Sequence, residues 1–150
     1  MKSKIYPSFI FLAFLLVSSL SFSQVGINTT NPLSTLDING NLSVKVVSLN
    51  GGPAFGATLI NDGVYINLTP TPGNRQFYLN DPATTPGRVY ILRNITDSET
   101  AELYTAGGKR FFNKTTKVGS AVNGPIFLPP NSVGKSIIIV SDGINWTYFD

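Results

Sequence analysis

The chain has 150 residues, a formal net charge of +3, no cysteine and no histidine, and only 13% of its residues are charged. That composition excludes disulfide stapling, thiol nucleophiles, Cys/His zinc sites and the commonest general base near neutral pH. With 14 glycines and 10 prolines breaking it up, no helical period survives for three turns, and the expected fold is all-β: a small antiparallel β-sandwich or β-prism-like module behind an extended N-terminal arm.

The first segment reads as an export signal. Lys2 and Lys4 give a positive start, residues 9–17 are an unbroken apolar run, and the small Ser21 and Ser23 precede Gln24. Cleavage is expected after Ser23, which divides the chain into a signal peptide at 1–23, an arm at 24–40 and a single β domain at 41–150. A retained anchor would need roughly 20 apolar residues, and Ser18, Ser19, Ser21 and Ser23 dilute this segment. No membrane span is therefore expected after cleavage, and the expected location is secreted or outer cell surface. Loss of Lys2 and Lys4 leaves nine Lys and Arg against eight Asp and Glu, a net charge of +1. Only Lys109 and Arg110 are adjacent, so no basic field for nucleic acid remains.

In the arm, Pro32 pushes Asn31 toward extended geometry and Asn39-Gly40 signals a turn, so residues 33–38 form a short segment between two corners. Leu33, Leu36 and Ile38 on so short a segment need a partner surface. Residues 41–49 begin with alternation, Leu42, Val44 and Val46 on one face, and then Val47 and Leu49 change phase, as a bulge or a change of partner strand would produce. Residues 57–60 and 64–68 around Asn61-Asp62-Gly63 read as a hairpin. Residues 75–79 read as a short strand, followed by a proline-bearing loop at 81–87.

Residues 88–93 are apolar on consecutive positions, as expected of a strand covered on both faces by the core or by another subunit. Residues 99–104 and 109–113, joined through Gly107-Gly108, read as a second hairpin. Residues 134–140 form another strand apolar on both faces. A turn at Ser141-Asp142-Gly143 reverses the chain into a last strand with Ile144, Trp146 and Tyr148 on one side, and these two terminal strands are expected to pair.

The phrase VGINTTNPLSTLDING resembles the head phrase of short secreted bacterial proteins and phage tail-fibre-like proteins, through Gly26-Ile27, Thr29-Thr30, Pro32, Leu36-Asp37-Ile38 and Gly40. The ending Ser141-Asp142-Gly143-Ile144-Asn145-Trp146 is similar to the closing strand of such fibre proteins. The resemblance covers positions 25–40 at the front and a stretch of similar length at the back. It implies a trimeric, surface-exposed, architectural or adhesive protein. The chain departs from longer members in having no coiled-coil segment and no C-terminal autoprocessing domain.

Catalytic motifs are weak. Ser132-Val133-Gly134-Lys135 has S-x-x-K spacing, but Pro129-Pro130 and Gly134 oppose the helix that such a dyad needs. Glu99 and Glu102 would fall on opposite faces of a strand, as two solvated charges. Asp142 and Asn145 lack the oxygen-rich spacing of a calcium loop and fit a hairpin corner, and Gly107-Gly108-Lys109-Arg110 lacks the rest of a phosphate loop. No catalytic residue, metal or cofactor is expected.

Aromatic side chains remain. Trp146, Tyr148, Tyr78, Tyr90 and Tyr104 could stack on sugar rings, with core packing as their default role. The expected function is a non-catalytic structural or interaction module of a fibre-like or envelope assembly, working as a homo-oligomer, with a trimer suspected. Its interface is expected at Leu33, Leu36, Ile38, Val89, Ile91, Ile137 and Ile139. The alternative is a carbohydrate-binding or adhesive module with a glycan or envelope partner, using Trp146, Tyr148 and Asn145; an extracellular hydrolase ranks last.

Overall fold

The computed structural model describes residues 24–150 except 114, 116–118 and 132–133, so the expected signal peptide at 1–23 and Ser132 of the S-x-x-K pattern lie outside the described residues. The all-β expectation holds: the described residues form twelve strands and one 3-10 turn. The chain divides between Ser43 and Val44 into two compact units.

In the first unit, β1 (Val25–Ile27) pairs in parallel with β2 (Leu36–Ile38). Parallel neighbours usually need a crossover of about a dozen residues, whereas here the link 28–35 suffices because hydrogen bonds fold it tightly. Asn28 takes a left-handed conformation (φ 58°) and donates through Nδ2 to the Asn39 carbonyl at 3.0 Å. Asp37 Oδ2 accepts the Leu33 N–H at 2.8 Å, and a Cβ on Gly26 would lie 2.5 Å from the Thr29 carbonyl oxygen. The glycine, asparagine and aspartate of this phrase thus have a local structural purpose. Its aliphatic residues do not: Leu33 is 94% exposed, and Val25, Ile27 and Leu36 are exposed too.

The second unit begins with strands that alternate between two sheets. β3 (Val46–Asn50), β5 (Tyr65–Thr69) and β7 (Val89–Asn94) lie side by side and parallel in one sheet; β4 (Thr58–Ile60), β6 (Gln76–Leu79) and β8 (Ala101–Thr105) do the same in the other. Val46 faces Tyr65 and Tyr65 faces Ile91, while Thr58 faces Phe77 and Phe77 faces Leu103. Both sheets therefore advance by one shared interval from the first coil to the second (46 to 65, 58 to 77) and by one shared, longer interval to the third (65 to 91, 77 to 103). Residues 46–105 are three stacked coils, the solution by which short units that cannot bury a face alone share a continuous core.

The longer second step comes from the link between β6 and β7. It carries the 3-10 turn Pro82–Thr84, capped by Asp81 Oδ1 on the Ala83 N–H at 2.9 Å, and the Pro82 carbonyl accepts the Ser141 hydroxyl at 2.8 Å. The third coil is then covered on both sheets by antiparallel strands. β10 (Ile126–Leu128) pairs with β8 and β11 (Ser136–Ser141) with β7. β12 (Trp146–Phe149) lies antiparallel to β11, and β9 (Phe111–Asn113) is parallel to β12 at the edge. The result is a six-stranded sheet β3-β5-β7-β11-β12-β9 and a four-stranded sheet β10-β8-β6-β4, sandwich-like over one core.

Strand alternation fills that core. Ile66, Leu68, Leu92, Ile137, Ile139 and Trp146 from one sheet meet Ile60, Phe77, Leu79, Leu103 and Leu128 from the other. Val47 and Leu49 pack against the cluster while Leu42 lies outside any strand, so the expected phase change is the start of β3 at Val46.

The terminal pairing is as expected, with Val140 opposite Thr147. Among the strand pairs, antiparallel pairing involves the covering strands alone, with isolated antiparallel bridges at Gly52–Gln76 and Thr71–Asn74, and both expected hairpins are corrected. β4 and β5 lie in different sheets, as do β8 and β9. Gly63, Gly107 and Gly108 do adopt positive φ, but their corners carry the chain from one sheet to the other. A tight turn is a local signal, whereas the choice of partner strand depends on which coil the chain joins next.

Candidate functional site

The outer face of the six-stranded sheet carries the most informative arrangement. Register places Val46, Tyr65, Ile91, Ile138 and Phe149 in one row across β3, β5, β7, β11 and β12. At about 4.8 Å per strand this row runs for about 19 Å. The adjacent row is Val89, Val140, Thr147 and Phe112 on β7, β11, β12 and β9. On the other flank, Ser48, Asn67, Arg93 and Ser136 make a polar row. The apolar band carries no charge and keeps substantial exposure, with Val46 at 59% and Ile138 and Phe149 each at 45%. Sheets built on parallel strands are ordinarily covered on both faces, and a contiguous apolar band on a sheet face marks an interaction surface.

This geometry sorts the expected interface residues. Val89 and Ile91 lie in the band. Ile137 and Ile139 are buried inside the unit, so on β11 the outward positions are Ile138 and Val140. Leu33, Leu36 and Ile38 belong to the first unit, where Leu33 and Leu36 are exposed and Ile38 is half-buried. Sequence reading missed Val46, Phe112, Ile138 and Phe149. The run Ile137-Ile138-Ile139-Val140 has no polar position to mark its faces, and the pairing of Ile137 and Ile139 with the buried Leu92 and Tyr90, and of Ser141 with the buried Trp146, fixes which residues point inward.

The expected sugar platform is taken apart. Trp146 is 1% exposed, its ring 6.0 Å from that of Tyr90, and its Nε1 donates to Thr105 Oγ1 at 3.0 Å and to the Asn80 carbonyl at 3.2 Å. It is a core residue. Tyr148 packs half-buried against the same cluster and borders a cleft with Arg75, Glu102 and Asp150. Asn145 accepts the Arg110 N–H through Oδ1 at 3.0 Å, and Asp142 Oδ1 accepts the Ile144 and Asn145 N–H groups, so the SDGxNW phrase is a corner that seats the tryptophan.

Glu99 and Glu102, expected as separate solvated charges, converge on Arg75 at 3.7 and 3.4 Å. The two carboxylates share one guanidinium as ion-pair partners. Among the described residues no group of three or more His, Cys, Asp and Glu could hold a metal, no buried side-chain polar atom lacks a partner, and no helix is long and apolar enough to cross a membrane.

Two further ion pairs lie at the surface. The Lys45 ammonium hydrogen-bonded to Asp62, and that of Lys135 to Asp97, hold both carboxyls below the usual aspartate range. A depressed folded-state value gives support that is present above the ordinary aspartate pKa of about 3.9 and is lost as pH falls from there through the lower folded-state value. No histidine titrates in between. The unfolding midpoint, followed by circular dichroism, is therefore expected to stay level from about pH 5 to 8 and to decline below about pH 4. A sigmoidal change near pH 6.5 would contradict this.

No family model, curated protein or solved structure matches this chain.

Proposed function

We propose that the chain is a non-catalytic assembly module, exported and then built into a fibre-like or envelope structure through contacts between copies of itself. The observation that carries this reading is the uncharged apolar band on the six-stranded sheet, from Val46 across to Phe149. A second copy is the occupant that suits it. The band has no charge to be matched by an oppositely charged partner, so it is complementary to its own kind, and the low net charge adds little repulsion between copies. The exposed aliphatic residues of the arm, Val25, Ile27, Leu33 and Leu36, add a second surface of the same character. A trimer is the state that the fibre-like phrases imply.

Light scattering tests this. The wild-type protein is expected to run as a homo-oligomer at micromolar concentration. Ile138→Lys, which places a charge in the middle of the band on a side chain already half in water, is expected to lower the assembled mass to that of one chain with the β-sheet spectrum intact. A stable wild-type monomer, or an Ile138→Lys oligomer of unchanged mass and affinity, would overturn the assignment.

A further inference from the structure

The opposite face of the unit carries a second site of different chemistry. On the four-stranded sheet, Tyr78 of β6 and Tyr104 of β8 are register partners, both half-buried, and they floor a cleft of about 710 Å³. That volume is in the usual range for small-molecule sites. One wall is the link between β3 and β4. It is pinned by reciprocal hydrogen bonds between Gly52 and Gln76, each 3.0 Å, and by a turn in which the Gly56 N–H donates to the Pro53 carbonyl at 2.9 Å. There is no slack in it, since a Cβ on Gly52 would lie 2.0 Å from the Gly56 carbonyl oxygen.

This rigid link holds Phe55 in a left-handed conformation, φ 67°, with its side chain 108% exposed at the rim of the cleft. Asn123, at φ 65°, lines the other wall, and its Oδ1 accepts the Gly108 N–H at 3.0 Å. Among the described residues of the second unit these are the two non-glycine residues with positive φ, and both border this cleft. Strained backbone that the surroundings over-determine concentrates at binding sites. A bare phenylalanine on a fixed loop adds nothing to the packing of the fold.

The polar groups define the ligand. Gln76 Nε2 donates to Tyr104 Oη at 3.2 Å and to Glu102 Oε2 at 3.3 Å, and Tyr104 Oη donates to Glu102 Oε2 at 3.2 Å, so the amide and the phenol of the floor are fixed by a carboxylate that lies outside the cleft lining. Glu102 is itself paired with Arg75, and among the described residues lining the cleft none carries a formal charge. An uncharged site that combines aromatic surfaces with amide and hydroxyl groups suits a molecule with flat apolar faces edged by hydroxyls. β6 and β8 are interior strands with neighbours on both sides, so an extended peptide finds no free edge to pair with.

We propose that this cleft, between Phe55, Tyr78, Tyr104 and Asn123 and with Gln76 in its floor, binds a neutral oligosaccharide. The site lies on the sheet opposite the apolar band and stands independently of the assembly reading.

The test is an amide chemical-shift titration of the full chain with maltohexaose, cellohexaose and chitohexaose. At least one is expected to give saturable shifts confined to residues 54–57, 76–78, 104–107 and 123, with a dissociation constant at or below about 1 mM. Phe55→Ala removes a side chain that stabilises nothing in the fold, so it is expected to leave the melting temperature unchanged and weaken that binding about tenfold. No saturable shift with any of the three sugars, or binding indifferent to Phe55→Ala, would overturn the proposal. Saturable binding of a proline-rich peptide in place of all three sugars would also overturn it and assign the cleft to a protein partner. Ile138→Lys is expected to leave sugar binding intact, which separates failure of this site from failure of the assembly surface.

Discussion

Replacing Trp146 with alanine is expected to cost the second unit about 3–5 kcal/mol, enough to lower its melting temperature by well over 10 °C, about the scale for a domain of this size. The ring is the largest fully buried side chain, and it spans the two layers: it sits on β12 of the six-stranded sheet while its Nε1 donates to Thr105 on β8 of the four-stranded sheet and to the Asn80 carbonyl next to β6. Truncation would leave a cavity beside Tyr90 and would leave the Thr105 hydroxyl and the Asn80 carbonyl with only their long 3.4 Å contact to each other. Trp146→Phe restores much of the apolar area but not the donor, so its expected loss is about 1–3 kcal/mol. Because the chain has a single tryptophan, denaturation should be followed by far-ultraviolet circular dichroism and not by fluorescence. A Trp146→Ala protein within about 1 kcal/mol of wild type would show that the residue is not the tie between layers described here.

A comparable loss, about 3 kcal/mol, is expected for Asn94→Leu, although the two side chains have the same branched skeleton and the site is fully buried. Asn94 stands in register with Leu68 of the preceding coil, so leucine would continue the stack. The asparagine is there because the third coil ends differently. Its Nδ2 donates to the Glu99 carbonyl at 2.7 Å and to the Leu128 carbonyl at 2.9 Å, while its Oδ1 accepts the Thr96 N–H at 3.0 Å and the Thr96 hydroxyl at 2.9 Å. One side chain thus shapes the bend into β8 and fastens the covering strand β10. Leucine would remove all four of these bonds, leaving the Glu99 carbonyl with the Thr96 hydroxyl at 3.1 Å, and hydrogen exchange should show faster opening of residues 126–128 than of β5 or β7. A variant as stable as wild type, with β10 equally protected, would mean that water or relaxation replaces all of these bonds.

The three-coil arrangement was present in the sequence but hard to see. Thr58-Leu59-Ile60-Asn61-Asp62 and Phe77-Tyr78-Leu79-Asn80-Asp81 occupy matching places in successive coils, each ending in an Asn-Asp corner, yet the unequal steps from coil to coil hide the period. Within each coil the second strand follows the first at a constant interval (46 to 58, 65 to 77, 91 to 103), and that constancy was the signal available. Reading Asn61-Asp62-Gly63 as a hairpin turn was locally reasonable, since Gly63 does take positive φ, but a corner between sheets and a turn between paired strands need the same residue.

The terminal pair was legible for the opposite reason. An alternating aromatic strand beside Ser141-Asp142-Gly143 leaves little else for the chain to do, and β11 and β12 pair across that corner. For function, the expected interface fell on two of the strands that carry the apolar band, β7 and β11, with the outward residues named on β7 and the inward ones on β11. Val89 and Ile91 point outward while Ile137 and Ile139 point inward, because antiparallel register sets Ile91 opposite Ile138 and puts the two neighbouring isoleucines in the core. The sugar platform was sought at the most conspicuous aromatic, Trp146. The aromatic fully exposed at the rim of the cleft is Phe55, which stands alone in its loop and has no periodicity to announce it, while Tyr78 and Tyr104 of the expected set floor that cleft.

The absence of native cysteine permits a direct test of the assembly surface. Ile138→Cys puts one thiol in the apolar band and Phe127→Cys puts one on the exposed side of the four-stranded sheet. Labelling with a thiol reagent at micromolar protein should modify the Phe127→Cys thiol quickly and the Ile138→Cys thiol slowly, with the difference vanishing on dilution to single chains. Equal rates at every concentration would contradict the central claim that this face is covered by another copy of the chain.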